Sequence, residues 1–264
     1  LKLTKNTQPA IMTLSYSIYK LIVEEFGIDI KNIKYFCGHS LGEYSALVSI
    51  GSLTFEDALY LLHERGKSMQ EAVPEGHGAM LAVLGLKLED IEKLIKEIKV
   101  KGICEIANDN SDSQVILSGE KKAIDEISDI LKKNKKKSIF LPVSAPFHCS
   151  LMKSAAEKMK DKILKTNFKK PNKEIISNVT ARPVVDTEII KKLLIDQISS
   201  KVRWRESLLY MVENGVKEFI EIGPGKVLSG LAKRISGNMN VKSINTIEDI
   251  KSLKWLILKI KKSW

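Results

Sequence analysis

The stretch YFCGHSLGEYSAL at residues 35–47 restricts the fold of this chain more than any other part of it. An apolar run of strand type, residues 33–37, enters Gly38-His39-Ser40-Leu41-Gly42 directly, and residues 43–50 then read as a helix. A serine held between two glycines at such a bend requires a sharp, strained strand-to-helix turn, with the glycines keeping side chains out of the way. Strand, bend and helix in that order point to an α/β fold with Ser40 projecting from the turn. The hydroxyl then sits near the start of the following helix, where the Leu41 N–H and the helix dipole face any oxyanion that develops. Ser40 is therefore a candidate nucleophile.

Residues 9–26 carry apolar positions at helical spacing and stop at Gly27, and Thr54 is placed to cap a helix running on from residue 55. A different rhythm follows. Residues 79–84, 103–107, 114–118 and 138–143 read as strands, and residues 88–100 and 121–133 as helices. The order is βαββαβ, a ferredoxin-like unit. The longer pattern then resumes, with helices near 151–165, 187–199 and 204–214 and strands at 174–178 and 218–222. The last strand turns at Gly223-Pro224-Gly225 into a helix from residue 227. The expected fold is thus an α/β-hydrolase-like core with a parallel sheet, from residues 1–74 and 144–264, interrupted by a small ferredoxin-like subdomain at 75–143.

A chain of 264 residues with 44% hydrophobic content can bury one large core. It has no apolar run of about 18 residues, so no membrane span is expected, and its first residues lack the pattern of a signal peptide. Cys37, Cys104 and Cys149 lie far apart in no metal-ligand spacing, so no metal site is expected and they fit reduced thiols of a cytoplasmic protein. The net charge of +11 invites a nucleic-acid reading, but 38 of the 43 basic residues are Lys. The densest run, residues 132–137, has no interleaved aromatic residues, and no nucleic-acid motif occurs. A solvated lysine surface is the expectation, and attraction of an anionic partner the alternative.

A serine hydroxyl needs a base at neutral pH. Of the four histidines, His39 adjoins Ser40 and should point away from it, His63 falls inside a helix, and His77 lies in a Pro-Glu-Gly-His-Gly turn. His148, in LPVSAPFHCSLM at a strand-to-helix loop stiffened by Pro142 and Pro146, is the favoured base. No Asp is obviously placed to complete a hydrolase triad.

At these residues the chain resembles the malonyl-CoA:acyl carrier protein transacylases, and the acyltransferase domains of polyketide synthases look similar. The blocks TQPAIMT, GHSLGEYSALV, RGKSMQEAVPEGHGAM, SAPFHCSLM, VRW and EIGPGKVLSGLAKRI stand in that family's order across nearly the whole chain. The resemblance implies a ping-pong transfer of malonyl from coenzyme A, through an ester on Ser40, to the phosphopantetheine thiol of acyl carrier protein. It assigns His148 as general base and acid and Arg65 as partner of the malonyl carboxylate. In a chain that generally takes Lys for surface charge, an arginine there is conspicuous. Gln197 matches the position whose backbone carbonyl orients the histidine in place of a triad carboxylate, Gln8 a residue lining the site, and Leu41 an oxyanion donor. Phe147 fits the malonyl-selective version of its block. No cofactor is implied beyond the coenzyme A thioester as substrate, and a monomer is expected.

The family opens with a strand and a Pro-Gly-Gln-Gly type turn ahead of the TQPA block, which here begins at Thr7, and the chain contains no Gly-Gln-Gly. The resemblance thus implies that this strand, its helix and a second oxyanion donor are missing, as in a fragment of a longer protein or a degraded homologue. Ser68 and His77 are smaller departures inside matching blocks. The competing readings are a serine hydrolase such as a thioesterase, and an inactive, N-terminally shortened homologue.

Overall fold

In the computed structural model, which describes residues 3–27, 31–237 and 239–253, strand β1 (Tyr35–Cys37) runs into the glycine-flanked bend and helix α2 (Gly42–Ser49) leaves it. β1 pairs in parallel with β6 (Glu174–Ile176), Phe36 opposite Ile175, and β6 pairs antiparallel with β7 (Pro183–Val184). A second parallel pair joins β8 (Glu218–Ile222) to β9 (Asn240–Ile244). The architecture is α/β with mixed sheets. Helices α1 (Thr4–Lys20), α3 (Phe55–Glu71), α6 (Lys153–Lys165) and α7 (Thr187–Gln197) surround the core built on β1, β6 and α2. Met12, Tyr44, Leu47, Leu61, Leu62, Met159, Ile175 and Leu194 are all fully buried there. A side chain of the Leu, Ile or Met class contributes roughly 1.5–3 kcal/mol on leaving water, so this cluster outweighs any surface ion pair.

Thr54 caps α3 as its position suggests, its Oγ1 accepting from Asp57 N at 3.1 Å with Glu56 and Asp57 in the first turn. In the second half of α3, Gly66 allows α1 to approach closely. A Cβ at that position would lie 2.6 Å from Lys5 Cα and 2.7 Å from Thr4 O. The approach sets Gln8 of α1 against Arg65 of α3.

The second layer comprises β2 (Gly78–Leu84), α4 (Leu88–Lys96), β3 (Cys104–Ser111), β4 (Gln114–Glu120), α5 (Lys121–Lys133) and β5 (Lys137–Phe140). Its four strands form an antiparallel sheet in the order β3-β4-β2-β5. Alternation along the strands gives it two apolar faces. Leu81, Val83, Val115 and Leu117 meet Ile91 of α4 and Ile124, Ile127 and Leu131 of α5. Met80, Ala82, Ala107 and Ile116 face the other way and pack on Phe147.

The layers are joined at the far end of β3. Val202 N donates to Ala107 O at 2.8 Å and Asp109 N to Val202 O at 3.0 Å. The buried Asp109 carboxylate accepts from Arg205 Nε at 3.0 Å and Nη2 at 2.9 Å, in helix α8 (Trp204–Glu213). The last helix of the parallel pair, α9 (Val227–Ile235), follows β8 after the Gly-Pro-Gly turn.

Several elements differ from the sequence expectation: the first helix is Thr4–Lys20 and not 9–26, and the segments expected at 138–143, 174–178 and 187–199 are Lys137–Phe140, Glu174–Ile176 and Thr187–Gln197. α4 stops at Lys96 instead of residue 100, because the Glu126 carboxylate takes the Lys99 and Val100 amides at 3.0 and 2.9 Å. β3 continues through the polar residues 108–111, whose backbone finds Val202 as an extra partner. β7 and β9 are additional strands, each short and taking its pairing from a distant segment.

Candidate active site

Ser40 and His148 both have left-handed backbone, φ 52° and 58°. Residues with a Cβ take that conformation at a cost and keep it only where the surroundings enforce it. At Ser40 the enforcement is visible. Asn178, just past β6, donates from Nδ2 to Gly38 O at 2.7 Å and accepts from Ser40 N at Oδ1, also 2.7 Å. The amides of Gly42, Glu43 and Tyr44 are taken by the carbonyls of His39, Ser40 and Leu41. The Leu41 N–H has no carbonyl partner among the described residues and lies at the head of a helix with no side-chain cap.

His148 is held from the second layer. Glu105 of β3 accepts from Ser150 N at 2.8 Å and Ser150 Oγ at 2.5 Å, and the Cys149 thiol donates to Pro146 O. The ring lies with Nε2 2.8 Å from Ser40 Oγ and Nδ1 2.9 Å from Gln197 O. A carbonyl can only accept, so Nδ1 carries the proton and Nε2 presents its lone pair to the serine hydroxyl. Burial, together with the nearby Arg65 charge, pushes the imidazole down to about 3, so it is neutral at physiological pH.

Arg65 is 1% exposed. Its Nη1 donates to Gln8 Oε1 at 2.7 Å, and its Nη2 to Gln197 Oε1 at 2.8 Å and Ser40 Oγ at 3.1 Å. The Tyr44 ring lies 5.9 Å from the guanidinium carbon. Arg65 Nε is buried without a partner in this set. Gln197 completes the network: Nε2 donates to Ser40 O at 3.0 Å and to Glu43 Oε2 at 2.7 Å. Glu43, 2% exposed, also accepts from Asn178 N at 3.2 Å. Burial raises its carboxyl to about 7 despite the opposing pull of these donors and of Arg65.

Five of the residues expected from sequence, Ser40, His148, Arg65, Gln8 and Gln197, thus form one continuous hydrogen-bonded set, and Leu41 adjoins it. Phe147 is half-buried between the two layers. His39 turns away from Ser40, its Nε2 2.9 Å from Asn110 Oδ1 and its ring centre 5.5 Å from that of Trp204. His63 and His77 are exposed. Glu43, Asn178 and Asn110 belong to the surroundings of the site and were not singled out from the sequence. Glu43 reads there as an ordinary acid in the first turn of a helix, Asn178 as the polar end of a strand and Asn110 as a loop polar residue. Among the described residues no group of His, Cys, Asp or Glu is arranged to hold a metal, and no helix is long and apolar enough to cross a membrane.

A hydroxyl donating to a neutral imidazole, with an amide and a guanidinium beside it, is equipped for acyl transfer through a serine ester. Similarity to known proteins agrees as far as acyl transfer is concerned. The malonyl CoA-acyl carrier protein transacylase of Bacillus subtilis is 42% identical over 252 residues, covering 95% of this chain and 78% of the relative. That of Escherichia coli K12 is 40% identical over 243 residues, covering 92% and 78%. The crystal structure of the acyl-carrier-protein S-malonyltransferase of Bartonella henselae superposes with a TM-score of 0.92 at 40% identity, over 96% of this chain and 81% of that one. A complex described as a type II PKS acyl-carrier protein with its malonyl-transacylase gives 0.90 at 39% identity, over 95% and 80%. Residues 1–251 match the acyl transferase domain, and the chain belongs to that family.

Proposed function

We propose that this chain transfers malonyl from coenzyme A to the phosphopantetheine thiol of acyl carrier protein, with Ser40 as nucleophile and His148 as base. The observation that carries the reading is a guanidinium, almost wholly removed from water, 3.1 Å from the hydroxyl that would take the acyl group. A buried cation needs an anionic partner, and malonyl brings a carboxylate where acetyl brings none. The unpartnered Arg65 Nε supports an acceptor arriving there. Transacylases of this name are relatives at about 40% identity over most of the chain.

In the first half-reaction Ser40 Oγ attacks the thioester carbonyl as its proton passes to His148 Nε2. The oxygen that gains the electron pair faces the Leu41 N–H. Collapse restores the carbonyl, breaks the C–S bond and returns the proton from His148 to the departing coenzyme A thiolate. In the second half the carrier thiol gives its proton to His148 while its sulfur attacks the ester, and Ser40 leaves with the proton. Arg65 holds the malonyl carboxylate. That pairing also offsets the positive charge that depresses His148, so the carboxylate strengthens the base it needs. Gln8 keeps Arg65 in place, and the Gln197 carbonyl keeps the imidazole turned to Ser40. Phe147 would crowd an α-methyl branch.

A hydrolase is the less favoured reading. The imidazole Nδ1 meets a carbonyl where a hydrolase triad would place a carboxylate. We read residues 1–74 and 144–264 as an α/β-hydrolase-like core and 75–143 as a ferredoxin-like insert, supported by the strand order β3-β4-β2-β5. Within the same proposal the protein is a cytoplasmic monomer that uses no cofactor besides its thioester substrate. Intact-mass measurement after mixing with malonyl-CoA tests the function. A malonyl adduct on Ser40, discharged on adding holo-acyl carrier protein, is expected. Free malonate released without an acceptor, or no adduct, would overturn it.

A further inference from the structure

The reading above leaves Glu43 unused, although it is a carboxylate enclosed one turn beyond the nucleophile and in contact with two segments of the site. Its Oε2 receives Gln197 Nε2 at 2.7 Å and Asn178 N at 3.2 Å. The first contact decides which way the Gln197 amide faces. Oε1 points to Arg65 and the NH2 group to Glu43 and Ser40 O. Turning the amide over would set its oxygen against a carboxylate and a carbonyl, and its NH2 against a guanidinium. Both pairings would be repulsive in a site shielded from water. The second contact holds the backbone of Asn178, whose side chain ties Gly38 O to Ser40 N across the bend.

We infer that Glu43 is a positioning residue for malonyl selectivity: it locks the Gln197 amide so that Oε1 aims the Arg65 guanidinium at the acyl site beside Ser40. The inference rests on the transacylase reading and extends it to a residue that would not touch substrate. An ionised carboxylate suits the task because it can only accept, whereas an amide at the same place, or the same carboxyl once protonated below about pH 7, could also donate and would tolerate either orientation of Gln197. Above about pH 7, where Glu43 is mostly ionised, the selectivity of a chain like this then depends on two charges that never meet, Glu43 and Arg65, bridged by one neutral amide.

The test compares malonyl and acetyl loading of Ser40, from malonyl-CoA and acetyl-CoA, by rapid-quench intact mass in the wild type, Glu43→Gln and Glu43→Asp. Wild-type protein must form the malonyl ester; if it does not, the transacylase reading itself has failed. Given that ester, Glu43→Gln should lower the malonyl-to-acetyl ratio of kcat/KM about tenfold or more, the scale of one charge-assisted hydrogen bond. Glu43→Asp, which keeps the charge but draws it back by a methylene, should lower the ratio less. A merely structural role would slow both acyl groups alike, so equal losses, or an unchanged ratio, overturn the inference. Should Glu43→Gln not melt cooperatively, Glu43→Asp decides alone: malonyl loading must fall more than acetyl loading, and equal falls reject the lock.

Discussion

Replacing Gly38 by alanine asks how much of the activity depends on the shape of the bend. A Cβ built there lies 2.6 Å from Glu43 N and closer still to the Gly42 carbonyl carbon and oxygen, whereas real contacts of that kind begin at 3.0 Å. The offending atoms are backbone, so no rotamer change relieves them. The bend has to open, and it is the same bend that Asn178 clamps at Gly38 O and Ser40 N. Overpacking of this kind costs about 1–3 kcal/mol, which in a chain of this size lowers Tm by about 2–10 °C. The functional loss should be larger in proportion. Ser40 Oγ rides on the moving segment and must stay 2.8 Å from His148 Nε2, and a misplacement near 1 Å costs on the order of 100-fold in rate. Calorimetry and rapid-quench loading with malonyl-CoA measure the two effects. A Gly38→Ala protein whose Tm and Ser40 loading rate both match the wild type would refute the argument that glycine is required to form the turn.

Arg65→Ala should depress malonyl loading by about 100-fold or more while acetyl loading falls far less, because only the former loses a charge-assisted pairing; equal losses would contradict the carboxylate clamp. His148→Ala should reduce transfer about 10²–10⁴-fold with the cooperative melt retained, and undiminished turnover would remove the ring from the mechanism. In the free protein the His148 ring proton signals should not shift between pH 8 and pH 5, since the folded group sits near 3; a midpoint close to 6.5 would contradict its burial. Stability should follow the linked protons. His148, lowered from 6.5 to about 3, contributes stability present above 6.5 and lost as pH falls, at about 1.4 kcal/mol per pH unit. Glu43, raised from 4.5 to about 7, contributes stability present below 4.5 and lost as pH rises toward 7, at the same rate. The two slopes oppose one another between 4.5 and 6.5, so denaturant titration of Glu43→Gln should reveal an acid loss in that window; a flat profile would refute the assignment.

The bend was legible because glycine at position 38 and serine at 40 are the residues such a turn demands, and Thr54 and the strand at 218–222 were legible for equally local reasons. The approach of His148 and Arg65 to Ser40 is a long-range fact. Its trace in the sequence was the resemblance, aided by the rarity of arginine. Glu43 escaped notice because an acid in the first turn of a helix is a favourable surface choice, and nothing local says that α7 and the end of β6 will cover it. The polar run 108–111 read as loop because its partners, Val202, Arg205 and His39, lie on other elements. The same holds for β7 and β9, whose strand character depends on neighbours far along the chain.

The atom that steadies the imidazole at Nδ1 is part of the main chain, at the final residue of α7. No amino-acid substitution at position 197 can delete it, unlike the acid of a hydrolase triad, which one substitution abolishes. Loss of this contact must instead come from moving the end of that helix, through a proline, a deletion or an insertion nearby. A library of random variants screened for inactive protein should therefore find the lesions that break this contact as length changes and helix breakers around residues 195–200, scattered over several positions and not gathered at one.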